Sequence, residues 1–192
     1  MGTAKQLLPF AGQTLLQHAV ATALSVGCGP VIVVLGARAD SLRETLSDRD
    51  VSVVVNEAWA TGIGSSIVAG VRVAAGDPRV GGVLLCLADT PFVSAAHLGA
   101  LLSVRQQQQV PMVAARYGGA IGVPAYFSRE MFPHLLALPA AQGCKGLLTG
   151  GLGLVGIVDC PDALCDVDTP TDHQAALDRY DRYPDLRAAR QA

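Results

Sequence analysis

Gly82-Val83-Leu84-Leu85-Cys86-Leu87-Ala88-Asp89-Thr90-Pro91-Phe92-Val93 is the stretch on which the fold turns. Five apolar residues, Val83 to Leu87, follow a Gly-Gly pair and precede a carboxylate. A short apolar run between turn residues reads as a strand buried in a parallel sheet. Pro91 has no N–H to donate, so it stops the ladder. Asp89 is thereby set at the carboxyl end of a buried strand, the edge where open α/β sheets hold their ligands. A charge leaving a core without a partner is costly. Two roles suit it there. It is a ligand for a hard divalent cation carrying a nucleotide triphosphate, or a cap for the turn or helix that follows.

Outward from this strand the pattern alternates. Residues 1 to 12 read as a loop. Thr14 caps a helix to about Val26, ended by Gly27 and Gly29-Pro30. Val31 to Leu35 is a second strand, and Asp40 or Ser41 opens a helix to Leu46. Val51 to Val55 is a third strand, and Ser65 or Ser66 opens a helix to Ala75. A helix from Ser94 to Gln108 follows the Asp89 strand. This order predicts a parallel sheet with right-handed crossovers. Met112 to Ala115 and Val123 to Phe127 flank a glycine-rich turn and read as a hairpin or an antiparallel edge. Ser128 caps a helix to Leu136, and Gln142 to Thr149 is another short helix. Leu154 to Val158 is the last strand. A helix from Thr171 to Arg182 follows, with a frayed tail after about residue 184.

With 192 residues, 51% of them hydrophobic and 16% charged, the chain fits one domain with a sizeable core. A formal net charge of -2 and no basic run argue against nucleic-acid binding. No apolar stretch reaches the ~18 residues of a membrane span, and Pro9 and Gly12 interrupt any signal-like segment. The five cysteines form no C-x-x-C pair, and Cys86 lies within the apolar run. They read as reduced thiols of a cytoplasmic protein. The four histidines lack metal-ligand spacing and read as structural or solvated.

Three further groups could carry chemistry. Lys5 could pair with phosphates, or be an ordinary surface lysine. Gly62-Ile63-Gly64-Ser65-Ser66 feeds a helix N-terminus, receptive to anions or to the edge of a base, although strand-to-helix loops are also written this way. Asp166 and Asp168 point the same way along an extended segment. They could complete a cation site with Asp89, or Asp168 or Thr169 could merely cap the final helix, with Pro170 at its first position.

Six elements in order resemble the MobA-like nucleotidyltransferases, and within them the molybdenum cofactor cytidylyltransferases. Met1-Gly2-Thr3-Ala4-Lys5-Gln6-Leu7-Leu8 matches the family's R-M-G-x-x-K-x-L-L from its Met onward. Asn56, Trp59, Gly62, Ile63 and Ser66 match N-x-x-W-x-x-G-M/I-x-x-S. Ala88, Asp89, Pro91 and Val93 match A-D-x-P-x-V/I. Gly119, Gly122 and Pro124 match G-x-x-G-x-P. Gly143, Lys145, Leu147 and Leu148 match G-x-K/R-x-L/I-L, and Asp166 to Pro170 with Asp172 match D-I/V-D-T-P-x-D.

The resemblance implies a single Rossmann-like nucleotidyltransferase domain over 1–192, three-layered α/β/α with a mostly parallel sheet. It implies attack of a molybdopterin phosphate on the α-phosphorus of CTP, with release of pyrophosphate and no covalent enzyme intermediate. Lys5 and Asp89 would be catalytic, and Asp89 and Asp168 would hold Mg²⁺. Gly2, Lys5, Asn56, Gly62, Ser65 and Ser66 would hold the nucleotide. Gly122, Pro124 and Lys145 would face the acceptor. Molybdenum hydroxylases or their chaperones would be partners. A non-catalytic carrier of the molybdenum cofactor, a GTP-using transferase and an NAD(P)-dependent oxidoreductase are alternatives on the same scaffold. The match lacks the family's first strand, its L-A-A/G-G-x-S turn and the Arg before Met1. A truncated start is favoured over a natural short relative that binds without catalysing. Two strands with unpaired edges and little transferase activity are expected consequences.

Overall fold

The computed structural model describes residues 4–182. Gly2 and the tail after about residue 184 lie outside them. A 3-10 turn, Lys5–Leu7, leads into β1 (Pro9–Phe10) and β2 (Gln13–Thr14), a small antiparallel pair. Helix α1 (Leu15–Val26) starts where the sequence placed it. The Thr14 hydroxyl accepts from the Gln17 N–H, and the Gln17 amide oxygen accepts from the Thr14 N–H, a reciprocal capping box. Gly27 ends the helix at φ +64°, a left-handed cap that favours glycine.

Next come β3 (Ile32–Leu35), α2 (Ala39–Glu44), β4 (Ser52–Val55), α3 (Ile63–Gly76), β5 (Gly82–Leu85) and α4 (Ala95–Gln108). Strands β6 (Met112–Tyr117) and β7 (Ala120–Ser128) form the expected hairpin. Short helices α5 (Phe132–Leu136) and α6 (Lys145–Thr149), strand β8 (Val155–Asp159) and helix α7 (Pro170–Arg182) complete the described chain. Ser128 does not cap through its side chain, because its hydroxyl donates to the Glu130 carboxylate at 2.9 Å. A 3-10 turn, Arg129–Met131, intervenes before α5.

The fold is the expected Rossmann-like mixed α/β arrangement. Four strands are ordered β5-β7-β6-β8, with β7 antiparallel to both neighbours and β6 parallel to β8. Strands β5, β6 and β8 therefore run one way and β7 the other. β3 and β4 form a separate parallel pair. Helix α1 packs on α4, and α3 packs on α5. The main core joins Met112, Ala114, Ala125, Phe127 and Leu135 with Val71 of α3. Among the described residues no helix is long and apolar enough to cross a membrane.

One boundary corrects the sequence reading. β5 ends at Leu85, so Cys86 to Ala88 have left the ladder before Asp89 is reached. Leu85 lies opposite Ala125, and the next residue along β7 is Pro124, which has no N–H to offer. Pro124, on the partner strand, ends the pairing; Pro91 lies beyond it. Cys86 is consequently exposed instead of buried. Among the described residues β3 pairs only with β4, and β5 only with β7. Between β3 and β5 lies a cleft of about 1730 Å³.

Candidate active site

Lys5 stands at the meeting point of three distant segments. Its ammonium donates to Asp89 Oδ2 and to Asp168 Oδ1, each at 2.6 Å. The side chains of Lys5 and Asp89 are 29% and 20% exposed, and that of Asp168 is 62% exposed. Burial pushes the Lys5 ammonium towards release of its proton. The hydrogen bonds and charges of Asp168 and Asp89 push the other way and win, so its pKa is raised above 10.5. Two carboxylates against one ammonium leave an excess of negative charge, which suits a cation.

The backbone explains how these residues meet. The Val167 N–H donates to the Asp89 carbonyl at 2.8 Å, stitching the 166–168 segment to the loop after β5. Val167 is fully buried, and Asp166 and Asp168 flank it on the exposed side. Asp168 reaches Lys5, and the final helix is capped by Thr169. The Thr169 hydroxyl accepts from the Asp172 N–H, and Asp172 Oδ2 accepts from the Thr169 N–H at 2.7 Å. Capping by Thr169 leaves Asp168 available to the site. Below, Phe10, Leu15, Phe92, Val167 and Ala176 form one cluster that anchors all three segments. Phe10 and Phe92 meet edge to face at 5.7 Å.

His18 is a positioning residue that sequence reading missed. It is buried on α1, and its Nε2 hydrogen-bonds the Pro91 carbonyl at 2.7 Å. It thereby holds the loop that carries Asp89. His97 completes the capping box of Ser94 at the start of α4, and His173 Nε2 hydrogen-bonds the Pro9 carbonyl. Their chain positions resembled those of any helical histidine, so no sequence signal separated them.

The glycine-rich loop forms a second group. Asn56 is buried; its amide donates to Ser65 Oγ at 2.8 Å and Ser66 Oγ at 3.0 Å, and its oxygen accepts from the Ala58 N–H. Helix α3 begins at Ile63, two residues earlier than the serines predicted, because Gly62 takes φ +124° and turns the chain there. The Gly64 N–H donates to the Ala140 carbonyl at 2.9 Å. A side chain on Gly64 would collide with the carbonyls of Pro139 and Gln142. The 139–142 loop thus covers this end of α3. Trp59 sits beside it, 48% exposed, with its Cβ over Gly36.

Gly122 and Pro124 lie buried on β7, where the register shifts against β6. Gly122 packs under the Tyr117 hydroxyl. Lys145 is exposed at the start of α6. The cleft joins Lys5, Asp89, Ser66, Gly122 and Lys145 along one lining. Asn56, Gly62, Ser65, Pro124 and Asp168 are outside that lining.

The acidic pair can be tested as a cation site. Asp89 Oδ1 is buried with no hydrogen-bond partner among the described residues, and its other oxygen converges with Asp168 on one point. No group of three or more His, Cys, Asp or Glu side chains suited to a metal occurs among the described residues. Two carboxylates fit an ion that completes its shell with water and phosphate oxygens, which is how Mg²⁺ binds beside nucleotides.

Residues 1–154 match the family model described as the MobA-like NTP transferase domain. The chain is 30% identical to nicotine blue oxidoreductase of Paenarthrobacter nicotinovorans over 86% of its length and 83% of that protein. It is 23% identical to molybdenum cofactor cytidylyltransferase of Escherichia coli over 94% of its length and 90% of that protein. A Mycobacterium tuberculosis protein, Rv0371c, solved in complex with manganese, superposes with a TM-score of 0.75 at 29% identity, covering 91% of each chain.

Proposed function

The chain belongs to the MobA-like NTP transferase family, and on that footing we propose that it transfers CMP from CTP to the phosphate of molybdopterin. The observation that carries this is the convergence of Lys5 on Asp89 and Asp168. An oxygen of the acceptor phosphate attacks the α-phosphorus of CTP, the bond to the β-phosphate breaks, and pyrophosphate leaves. Such a reaction needs positioning and charge neutralisation more than covalent help from the protein. Asp89 and Asp168 would hold Mg²⁺, which supplies charge neutralisation and orientation of the triphosphate. Lys5, released from one carboxylate, turns its ammonium to phosphate oxygens. Gly2 belongs to this nucleotide-binding set by sequence.

Asn56 acts through Ser65 and Ser66, fixing the Gly62 loop that faces the base. Gly122 and Lys145 on the cleft lining serve the acceptor side, while Pro124, buried two residues further along β7, supports Gly122 from within the strand. The E. coli relative named molybdenum cofactor cytidylyltransferase supports this choice of nucleotide and acceptor. A second reading has its own observation. One relative at 30% identity is named an oxidoreductase, which favours an NAD(P)-dependent step on the same scaffold.

Calorimetric titration separates them. CTP with Mg²⁺ should bind, and Asp89→Asn should weaken that binding about tenfold or more, as expected for loss of a charged metal ligand. GTP and NADPH should bind more weakly than CTP. Binding of NADPH alone would favour the oxidoreductase, and CTP binding unaffected by Mg²⁺ or by Asp89→Asn would overturn the metal-assisted transferase.

A further inference from the structure

Lys5 holds the oxygens that the cation site has to offer. Its ammonium lies 2.6 Å from Asp89 Oδ2 and 2.6 Å from Asp168 Oδ1. The other oxygen of Asp89, Oδ1, is sealed from solvent and has no hydrogen-bond partner among the described residues. An ion arriving from solvent therefore meets Asp89 at the oxygen that Lys5 already occupies. A divalent ion such as Mg²⁺ binds carboxylate oxygens at about 2.1 Å, so an ion on Oδ2 stands no farther than about 5 Å from the ammonium. Like charges that close repel strongly where protein shields them from water. Ion and ammonium are thus alternatives at Asp89.

The backbone holds Lys5 in place and leaves its side chain free to turn. The Leu8 N–H donates to the Lys5 carbonyl at 3.0 Å, and the Leu7 N–H donates to the Ala4 carbonyl at 2.9 Å. Beyond that turn the lysine side chain is part-exposed and lines the cleft. Its flexible four-carbon stem carries three rotatable donors, so a change of partner needs only a change of rotamer. A polyphosphate in the cleft is such a partner, because its anionic oxygens form strong charge-assisted hydrogen bonds with an ammonium. Turning towards it, Lys5 frees Asp89 Oδ2 for the ion that accompanies the phosphates. The acidic pair then has a cationic partner in both states.

We infer, on the footing of the proposed transferase reading, that Lys5 is an internal counter-cation that reserves the Asp89–Asp168 pair. It holds off a free divalent cation and admits one only together with a polyphosphate that engages its ammonium. Metal and nucleotide then bind with positive coupling, each raising the affinity of the other by the same factor. An ion pair closed for about nine-tenths of the time weakens a competing ligand about tenfold, since only the open fraction binds.

Mn²⁺ is the probe, at about pH 7.5, where lysine carries its charge. The electron paramagnetic resonance signal of the free ion reports how much is bound, without nucleotide and without turnover. Lys5→Met should bind Mn²⁺ about tenfold more tightly than the unaltered chain. A residue that only braced the fold would lose affinity on truncation, not gain it. Lys5→Gln, uncharged but still a donor, should gain similarly and serves if Lys5→Met does not fold. Adding Asp89→Asn to either variant should remove the gain. In calorimetric titrations, the factor by which Mn²⁺ tightens CTP binding should be about tenfold smaller in Lys5→Met than in the unaltered chain. Equal Mn²⁺ affinity in the unaltered chain and the Lys5 variants overturns the inference, as does a gain that survives Asp89→Asn. If Mn²⁺ still tightens CTP binding to the unaltered chain in that case, the transferase reading stands without it. Mn²⁺ that neither binds the Lys5 variants nor tightens CTP binding to any of these proteins overturns the metal-assisted reading, and the inference with it.

Discussion

β5 and β6 are apolar strands of similar composition in unequal surroundings. Met112, Val113, Ala114 and Ala115 of β6 are completely buried, with β7 on one edge and β8 on the other. Gly82 to Leu85 of β5 are all half-buried, with β7 alone beside them among the described residues. An apolar run is enough to make a strand, but two neighbours are needed to make that strand core. The cleft is where the second neighbour of β5 is lacking among the described residues, and the energetics should follow this division.

The largest effect belongs to the filled side. Phe127 is completely buried on β7, between β5 and β6. Phe127→Ala should lower stability in urea melts by about 3–5 kcal/mol, the usual loss for deleting a buried ring. Leu84 on β5 faces α4 and is half-buried. Leu84→Ala should lose less than about 2 kcal/mol, because part of that side chain already meets solvent. Equal losses at the two positions would break the comparison.

The same division explains what the sequence made legible. Strands and helices were readable because apolar period, glycine stops and Thr14 and Ser94 caps act locally. Asp89 and Asp168 were readable as a candidate cation site, but placing Lys5 with them rested on resemblance, since nothing local ties residue 5 to residue 168. The end of β5 was misplaced because its determinant, Pro124, lies on another strand. His18 was passed over because its partner is a backbone carbonyl, which leaves no mark in side-chain spacing. The capping of α3 by the Ala140 carbonyl was hidden for the same reason.

At the site, Asp89 and Asp168 differ much as the two halves do. Asp89 is mostly shielded, and Asp168 is largely exposed. Exposed ion pairs contribute little, being screened by water and salt. Asp168→Asn should therefore weaken Mg²⁺-dependent CTP binding only about threefold, against about tenfold for Asp89→Asn. Titrations in low and moderate salt check this: salt should narrow the Asp168 effect more than the Asp89 effect. A larger loss at Asp168 would make the exposed carboxylate the principal metal ligand.

The smallest expected effect concerns pH. Burial works against the Lys5 ammonium, but the hydrogen bonds and charges of Asp168 and Asp89 raise its pKa above the ordinary value of 10.5. A group whose pKa rises on folding adds stability that is fully present below its unfolded pKa. That stability is lost as pH climbs through the folded value. The whole change therefore lies at or above the ordinary lysine range. Lys5→Met should shift stability by an amount that stays constant between about pH 6 and about pH 9. Parallel stability curves for the two proteins across that window are the expected outcome. Curves that converge towards pH 9 would mean that Lys5 is already losing its proton. Desolvation by the walls around Lys5 would then have outweighed the two carboxylates, and the side chain would sit as a neutral amine over part of that window.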